Sequence, residues 1–459
     1  MKLFFEILVI FLALANLLLA RFALVKLTQP SSMPLWLIKV FTSAASAFLF
    51  VFGLFITTIG LMMNSIPMIV IGSCSAFLFL IHIIQITRGP DVFTGFENSF
   101  GKSWQNRLLP ETKEQFLSKR YVVWLPKSAE PIFQQDVSFY TIPGTNRALL
   151  CDIWQPPKTK KHSGLAFIYF HGSAWTFLDK DFGTRTFFRH LASQGHVIMD
   201  VAYRLFPETD FLGMVHDTKH AIAWMKANAA VYNIDPKKVV VGGGSAGAHL
   251  ALLAAYTAAG RQLAPTDLKQ FDLSVEGVIS LYGQSNLSAT FYHTGQHLIT
   301  HSSLTKKKKN ERGNMPSWIR KRMGKDFHRL GFDKEVEPGR LTAILDGTSN
   351  EKPEAYSLFS PITYVHKHCP PTLIIHGKHD VLAPVSAIRQ LYKCLKEEGV
   401  PVAMHLLPQT DHGFDLILPK ISPSAHNCIY DVERFLAIMA TSEPSAEGKS
   451  KIMKEIFVQ

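Results

Sequence analysis

Apolar residues are spread unevenly along the chain. Three long apolar runs crowd its first 86 positions. The first, LFFEILVIFLALANLLLARFALV, begins at Leu3. The second extends from Leu35 to Met63, breaks near Asn64 to Pro67, and gives way to a third from Ile66 to Ile86. A bilayer is crossed by about 20 apolar residues in a helix, so each run is long enough to span one. For the first run a cleaved signal peptide is the rival reading. Signal cores are shorter, though, and here further apolar runs follow in place of a clear cleavage site. Runs this long with so few charges are also rare in buried helices of soluble domains. The pattern predicts a membrane anchor of about three transmembrane helices over residues 1–88.

From about Asp136 the pattern changes to short strands alternating with helices. DVSFYTI and RALLCDIWQP read as a hairpin, and GLAFIYFHG, HVIMDVAYR, KVVVGGG, VEGVISLYG, PTLIIHG and PVAMHLLP as buried strands. Between them HDTKHAIAWMKANAAVYN, AGAHLALLAAYTAA, PVSAIRQLYKCLKEEG (closed by Gly399) and Ala425 to Met439 read as helices. In the first of these, Ala221, Trp224, Met225 and Asn228 fall near one face. Such alternation implies an α/β fold, a mostly parallel central sheet covered by helices on both faces. About seventy residues, Gln284 to Tyr356, interrupt the rhythm. A structureless loop of that length is unusual, so the segment is expected to be a helical cap over the site. The domain expectation is therefore a catalytic unit over 89–440 with its cap at about 284–356. The Ser-, Glu- and Lys-rich stretch 441–459 is expected to be a disordered tail.

Charge adds orientation. Lys and Arg outnumber Asp and Glu by 48 to 36, and part of the excess lies in KKKKNER (Lys306 to Arg312) and the nearby IRKRMGK. No nucleic-acid recognition motif or interleaved aromatic accompanies these runs, so they read as a solvated loop or one lying on anionic headgroups, and no nucleic-acid partner is expected. The first connecting loop is read as carrying Arg21, Lys26 and Lys39, and Arg88, Lys102 and Arg107 follow the third apolar run. With three spans these two regions share a side, and the positive-inside tendency places the C-terminal domain in the cytosol. The expectation is a multi-pass protein of an endomembrane such as the endoplasmic reticulum. Asn286-Leu287-Ser288 is a glycosylation sequon that would matter only on a luminal domain. Five cysteines without paired short spacing argue against a disulfide framework or a zinc site; a single bridge among Cys151, Cys369, Cys394 and Cys428 stays open.

The chemistry centres on VVVGGGSAGAHLA, which carries two overlapping motifs. Gly242, Gly244 and Gly247 fit the dinucleotide fingerprint G-x-G-x-x-G, while Gly243, Ser245 and Gly247 fit the nucleophile elbow G-x-S-x-G. A dinucleotide site needs an acidic residue about 20 positions on, at the end of the next strand. The nearest candidate, Asp267, sits in a proline-containing loop with no strand before it. A serine nucleophile needs a carboxylate and then a histidine, in that chain order, each after a strand. Asp380 follows TLIIHG and His412 follows PVAMHLLP, so the sheet edge that presents Ser245 presents both. Ser245, Asp380 and His412 are the candidate nucleophile, orienting carboxylate and base. The N–H groups of Ala246, Ser173 and Ala174 are the candidate oxyanion donors, in a setting supported by His171, Gly172, Gly243 and Gly247. Gly242 is read as room for the tight strand-to-helix turn.

These motifs resemble a known family. FHGSAW, YRLFPE, HDTKHAIAWMKANAAVYNIDPKKVVVGGGSAGAHLA, HGKHD and DHGF are similar to the hormone-sensitive-lipase-like group of α/β-hydrolases, which includes microbial esterases and arylacetamide deacetylase. The resemblance covers roughly residues 130–440. It implies an α/β-hydrolase fold and a carboxylic ester hydrolase with no cofactor. The chain departs from the family pattern in three places. His171-Gly172-Ser173-Ala174 stands for the usual His-Gly-Gly-Gly. Gly244 stands where the family commonly has Asp, and Ala248 where it commonly has Gly.

Other residues receive bland readings. Tyr203, Arg204 and Glu208 are expected to brace the site, with Arg204 and Glu208 in one polar network. Asp217 is expected to cap or brace its helix, and His171 to shape the oxyanion turn. Asp411 could replace Asp380 as the acid, although Asp380 fits better after its strand. His293, His297 and His301 would stack on one helical face, but Gly295 and the lack of a nearby carboxylate argue against metal. The overall expectation is a membrane-anchored serine hydrolase acting on a small-molecule or lipid ester of hydrophobic character. The alternatives are an acyltransferase using the same triad and a catalytically dead hydrolase fold serving as a binding module.

Overall fold

The computed structural model describes residues 2–27, 33–108, 110–258, 263–295 and 340–441. The expected tail, His297, His301, both basic runs and the centre of the expected cap lie outside the described residues. The flanks of that cap segment form short helices at Leu287–His293, Arg340–Ile344 and Pro353–Leu358.

Eight strands form one sheet: β1 (Ile132–Thr141), β2 (Ala148–Gln155), β3 (Ala166–Phe170), β4 (Val197–Val201), β5 (Val239–Gly244), β6 (Gly277–Leu281), β7 (Thr372–Gly377) and β8 (Val402–Leu407). Their spatial order is β1-β2-β4-β3-β5-β6-β7-β8. The β1–β2 and β2–β4 pairs are antiparallel, and the six strands from β4 to β8 run parallel. Each expected strand is present. The period-two geometry of a strand explains why β3, β4 and β5 read as continuous apolar runs. In β3, Ala166, Ile168 and Phe170 point into one core with the helices Phe211–Ala227, Ala246–Tyr256 and Val385–Glu397. Phe167 and Tyr169 point into the other, with Arg185–Ser193 and Pro423–Thr441. Helix Phe211–Ala227 starts several residues before the expected HDTKH, because the Asp210 side chain caps it by accepting from the Gly213 N–H.

The N-terminal region holds α1 (Lys2–Leu24), α2 (Met33–Ala44), α3 (Ser46–Met63) and α4 (Ile66–Ile86). Three stretches, Leu3–Leu24, Ser46–Met63 and Ile66–Ile86, are long and apolar enough to cross a membrane. The expected second span, Leu35 to Met63, is instead split at Ala45. Within α2 the Lys39 side chain is buried, and its ammonium reaches Asp411 of the α/β domain. α3 and α4 cross at glycine contacts. A Cβ on Gly53 would lie 2.7 Å from Ser75 Oγ, and one on Gly72 would lie 2.8 Å from the Thr57 backbone nitrogen. Small residues that let backbones approach are how helices associate where no hydrophobic driving force acts between them. The outer faces expose Phe4, Phe11, Phe55, Met62 and Phe77.

All five cysteines are free thiols, so no bridge joins Cys151, Cys369, Cys394 or Cys428. Asn286 of the sequon accepts from the Ala289 N–H as a helix cap, so its side chain already has a structural task.

Candidate active site

Parallel strands deliver their following loops to one sheet edge. Register places Phe170 of β3 beside Gly243 of β5, Gly244 beside Leu281 of β6, Leu281 beside Ile375 of β7, and Gly377 of β7 beside Leu407 of β8. The segments after β3, β5, β7 and β8 carry His171–Ala174, Ser245, Asp380 and His412, and they meet at this edge.

Ser245 follows β5 directly, at φ 54°, ψ −120°, a region that L-residues seldom occupy. This turn lifts the side chain out of the sheet. It is possible because its neighbours lack side chains. A Cβ on Gly243 would lie 2.3 Å from the Phe170 carbonyl oxygen, and one on Gly247 only 1.9 Å from the same atom. Gly242 has a different role from the expected one. It lies within the strand, where a Cβ would meet the Phe167 ring at 2.8 Å and Ile279 at 2.9 Å. It admits an aromatic ring across the sheet face rather than making room for the turn.

Ser245 Oγ lies 2.8 Å from His412 Nε2, and His412 Nδ1 lies 2.8 Å from Asp380 Oδ2. A carboxylate at Nδ1 keeps the proton there, so Nε2 accepts from the serine hydroxyl. Asp380 is fully buried. Its Oδ1 accepts from the N–H groups of Leu382 (2.8 Å) and Ala383 (2.7 Å). Burial alone would push this carboxyl up. The imidazoles of His412 and His376 and the Ala383 N–H outweigh burial and hold it below the usual carboxylate range, so it is ionised at neutral pH. Asp411 does not touch the His412 ring. Its Oδ1 accepts from the N–H groups of Val381 (3.1 Å) and His412 (2.8 Å), which ties the Asp380 loop to the His412 loop.

Among the described residues, nothing accepts from the N–H groups of Ser173, Ala174 or Ala246. Gly172 brings the loop after β3 against the elbow: a Cβ there would lie 3.1 Å from the Gly244 carbonyl oxygen and 3.4 Å from Ser245 Cβ. Ala174 and Trp175 both have positive φ, 44° and 63°. The loop is braced from below. Ser173 Oγ lies 2.6 Å from Tyr203 Oη and accepts from the Trp175 N–H at 2.9 Å, and Tyr203 Oη donates to the His171 carbonyl at 2.9 Å. His171 stacks on the Tyr203 ring, with centroids 4.6 Å apart.

The remaining expectations are partly corrected. Arg204 pairs with Asp217, with Nη2 2.6 Å from Oδ1 and the backbone N–H also donating to Asp217. Glu208 is not in that network; it pairs with Arg147 at the surface. His293 donates to the Asp380 backbone carbonyl at 3.1 Å.

Sequence reasoning missed the support beneath Ser245. At Gly244, where the resembled family commonly has a carboxylate, a Cβ would lie 2.7 Å from Tyr282 Oη and 3.0 Å from Tyr169 Oη. Tyr282 Oη donates to Asp415 at 2.6 Å, and its ring packs edge-on to His412 with centroids 4.7 Å apart. Two phenols, one of them held by the half-buried Asp415 of another loop, thus fill the space a side chain at 244 would need. Asp415 follows His412 by three positions in DHGFD, but only the fold shows that it turns under the elbow. Lys180 was also missed. Its Nζ lies 2.7 Å from both Asp136 and Asp152 and anchors the segment that follows the Ser173 loop.

Two family models match the chain: one described as BD-FAE over residues 151–326, and the prolyl oligopeptidase family over residues 333–421. The "Probable carboxylic ester hydrolase LipM" of Mycobacterium tuberculosis is 29% identical over 310 residues, covering 66% of this chain and 61% of that protein. "Esterase LipC" of the same bacterium is 27% identical over 285 residues, covering 62% and 61%. The chain therefore spans about three fifths of the length of these curated relatives. Among solved structures, the apo form of Thermogutta terrifontis esterase 2 is similar, with a TM-score of 0.47 at 20% identity over 70% of this chain and 98% of that one.

The packing at Gly244 is testable. Gly244→Asp, although it recreates the commoner family residue, is expected to destabilise the full chain by about 2 kcal/mol or more in detergent through overpacking. Tyr282→Phe in the same chain, which removes the crowding hydroxyl, is expected to recover part of that loss. Thermal unfolding of the two variants beside the unmodified chain checks both expectations.

Proposed function

We propose that the chain is a membrane-anchored carboxylic ester hydrolase of the α/β-hydrolase fold, working through an acyl-enzyme on Ser245. The observation that carries the proposal is the position of His412, 2.8 Å from Ser245 Oγ on one side and 2.8 Å from Asp380 on the other. In this reading Ser245 Oγ attacks the ester carbonyl carbon while His412 Nε2 takes its proton. Asp380 holds the imidazole in place and stabilises its cation. The carbonyl oxygen gains charge beside the N–H groups of Ala246, Ser173 and Ala174. Those donors need no reorganisation as charge develops, and the Ala246 N–H also opens a helix, whose dipole favours the anion. His412 then protonates the departing alcohol. Water, deprotonated by the same imidazole, releases the acid.

The anchor motivates a hydrophobic substrate. The carbonyl of Val25, after α1, accepts from Lys39, and that of Ile86, which ends α4, accepts from Asn427. Lys39 in turn bonds His379, so the ends of α1 and α4 both lie against the hydrolase domain, an arrangement that supports an odd number of spans with the domain on the side of Arg88 and Lys102. By the positive-inside tendency that side is the cytosol.

Full chain in detergent, assayed with p-nitrophenyl esters from acetate to palmitate, is expected to hydrolyse them with a preference for longer acyl groups. Ser245→Ala is expected to lower kcat by at least about 10³-fold, and Asp380→Asn by about 10³- to 10⁴-fold. A folded chain inert toward the whole series would overturn the proposal. In intact microsomes, added protease is expected to digest the hydrolase domain without detergent; protection until detergent is added would refute the cytosolic orientation.

A further inference from the structure

The loop that presents His412 is held by the anchor at almost every residue. Gln409 meets two side chains of α4: His82 Nδ1 lies 2.8 Å from its Oε1, and its Nε2 donates to Gln85 at 2.5 Å. Trp36 of α2 donates from Nε1 to the His412 carbonyl at 3.2 Å, and its ring lies 3.5 Å from where a Gly413 Cβ would be. Between these contacts Lys39 Nζ reaches Asp411 Oδ2 at 3.5 Å, with both side chains fully buried. The same ammonium donates to the Val25 carbonyl at 2.7 Å and to His379 Nδ1 at 3.0 Å.

A buried ion pair is a poor way to stabilise a fold, since well-packed apolar residues of similar volume often do as well or better. What this pair does is local. Asp411 Oδ1 joins the Asp380 and His412 loops through two backbone N–H groups. Those bonds are strongest to a carboxylate. Yet an uncompensated carboxylate here would add a second negative charge beside an imidazole that already has Asp380. Lys39 lets Asp411 keep its charge as an acceptor while cancelling that charge as seen from His412. We propose that Lys39 is a positioning residue for His412, acting through Asp411, so that the anchor completes the active site rather than merely tethering it. This rests on the reading of Ser245, His412 and Asp380 as a hydrolytic triad.

The charges around His412 come from several elements. Asp380 lies on its Nδ1, Tyr282 against its ring, and Asp415 behind Tyr282. His376 Nε2 lies 3.5 Å from Asp380 Oδ2, the oxygen that also meets His412, and His293 is bonded to the Asp380 backbone. Lys39, with His379 and exposed Lys26 nearby, arrives from the anchor. Of these, the pair Lys39–Asp411 alone joins α2 to the loop by opposite charges, and its removal in halves has opposite signs. Lys39→Met leaves a lone carboxylate beside His412. If it stays ionised it favours the imidazolium; if it protonates, it must lose that proton before it braces the loop. Either way the acid limb of activity moves to higher pH. Asp411→Asn keeps the Oδ1 acceptor but leaves a lone ammonium, which disfavours the imidazolium, so the limb moves to lower pH.

The test is the pH dependence of p-nitrophenyl butyrate hydrolysis by full chain in detergent, for both single variants and the double variant. Lys39→Met is expected to lower kcat about 10- to 100-fold with KM changed less than about twofold, the size of effect that misplacing a catalytic group brings. The two single variants should shift the acid limb in opposite directions, and the double variant should return both kcat and the limb close to those of the unmodified chain. Lys39→Met with unchanged kcat and pH profile overturns the proposal. So does a double variant no better than Lys39→Met, since the loss would then be one of packing. Should Lys39→Met fail to fold, Asp411→Asn decides the matter: an unshifted limb overturns the proposal. The titration of the His412 ring, followed by NMR of ¹³C-histidine-labelled chain, reads the same shifts without turnover. Ring shifts in a chain that hydrolyses nothing would sink the hydrolase reading and leave the Lys39 linkage. Hydrolysis without ring shifts would do the reverse.

Discussion

One backbone conformation, Ser245 at φ 54° and ψ −120°, sets the terms for everything around it. A side chain other than hydrogen on Gly243 or Gly247 would collide with the Phe170 carbonyl, so the turn is available only where β5 and the following helix press directly on β3. That pressure also brings the loop after β3, with its candidate donors, against Ser245. The strained serine, the glycines and the loop after β3 are therefore one device. The strain is sustained because the fully buried strands β3, β5 and β6 leave the backbone nowhere else to go.

A second layer of the site is electrostatic. Burial works against every charge here, and each charge is met by a specific partner. Asp380 is met by two imidazoles and backbone N–H groups, Asp411 by Lys39, and Asp217 by Arg204. Asp415, which burial pushes up, is met by the hydroxyl of Tyr282. The N-terminal helices belong to this layer. Their ties to residues 409–413 bring α2 and α4 against the loop that carries His412.

The strands and the order Ser245, Asp380, His412 were legible because parallel-sheet strands are apolar on both faces and the loops after them carry the chemistry. The same pattern failed where a helix turns for a reason outside itself. Leu35 to Met63 looks continuous, yet it divides at Ala45, and its Lys39 is buried against the distant Asp411. Gly244 was a puzzle in one dimension, since a missing carboxylate invites a search nearby in the chain. Its answer, the hydroxyls of Tyr169 and Tyr282, comes from neighbouring strands. Glu208 was grouped with Arg204 on proximity in the chain, yet Arg204 turns to the buried Asp217, where a full charge has greater need of a partner, and Glu208 is left to the surface. Contacts between residues far apart in sequence carry no local signal, and most of the site's support is of that kind.

The central claim is that Ser245 is the nucleophile, activated by His412. It is tested most directly by treating the full chain with diethyl p-nitrophenyl phosphate and mapping the covalent adduct by peptide mass spectrometry. A single diethylphosphoryl group on the peptide containing Ser245, formed far more slowly in His412→Gln, is the predicted result. No adduct on a folded chain, or one on another residue with Ser245 unmodified, would contradict it.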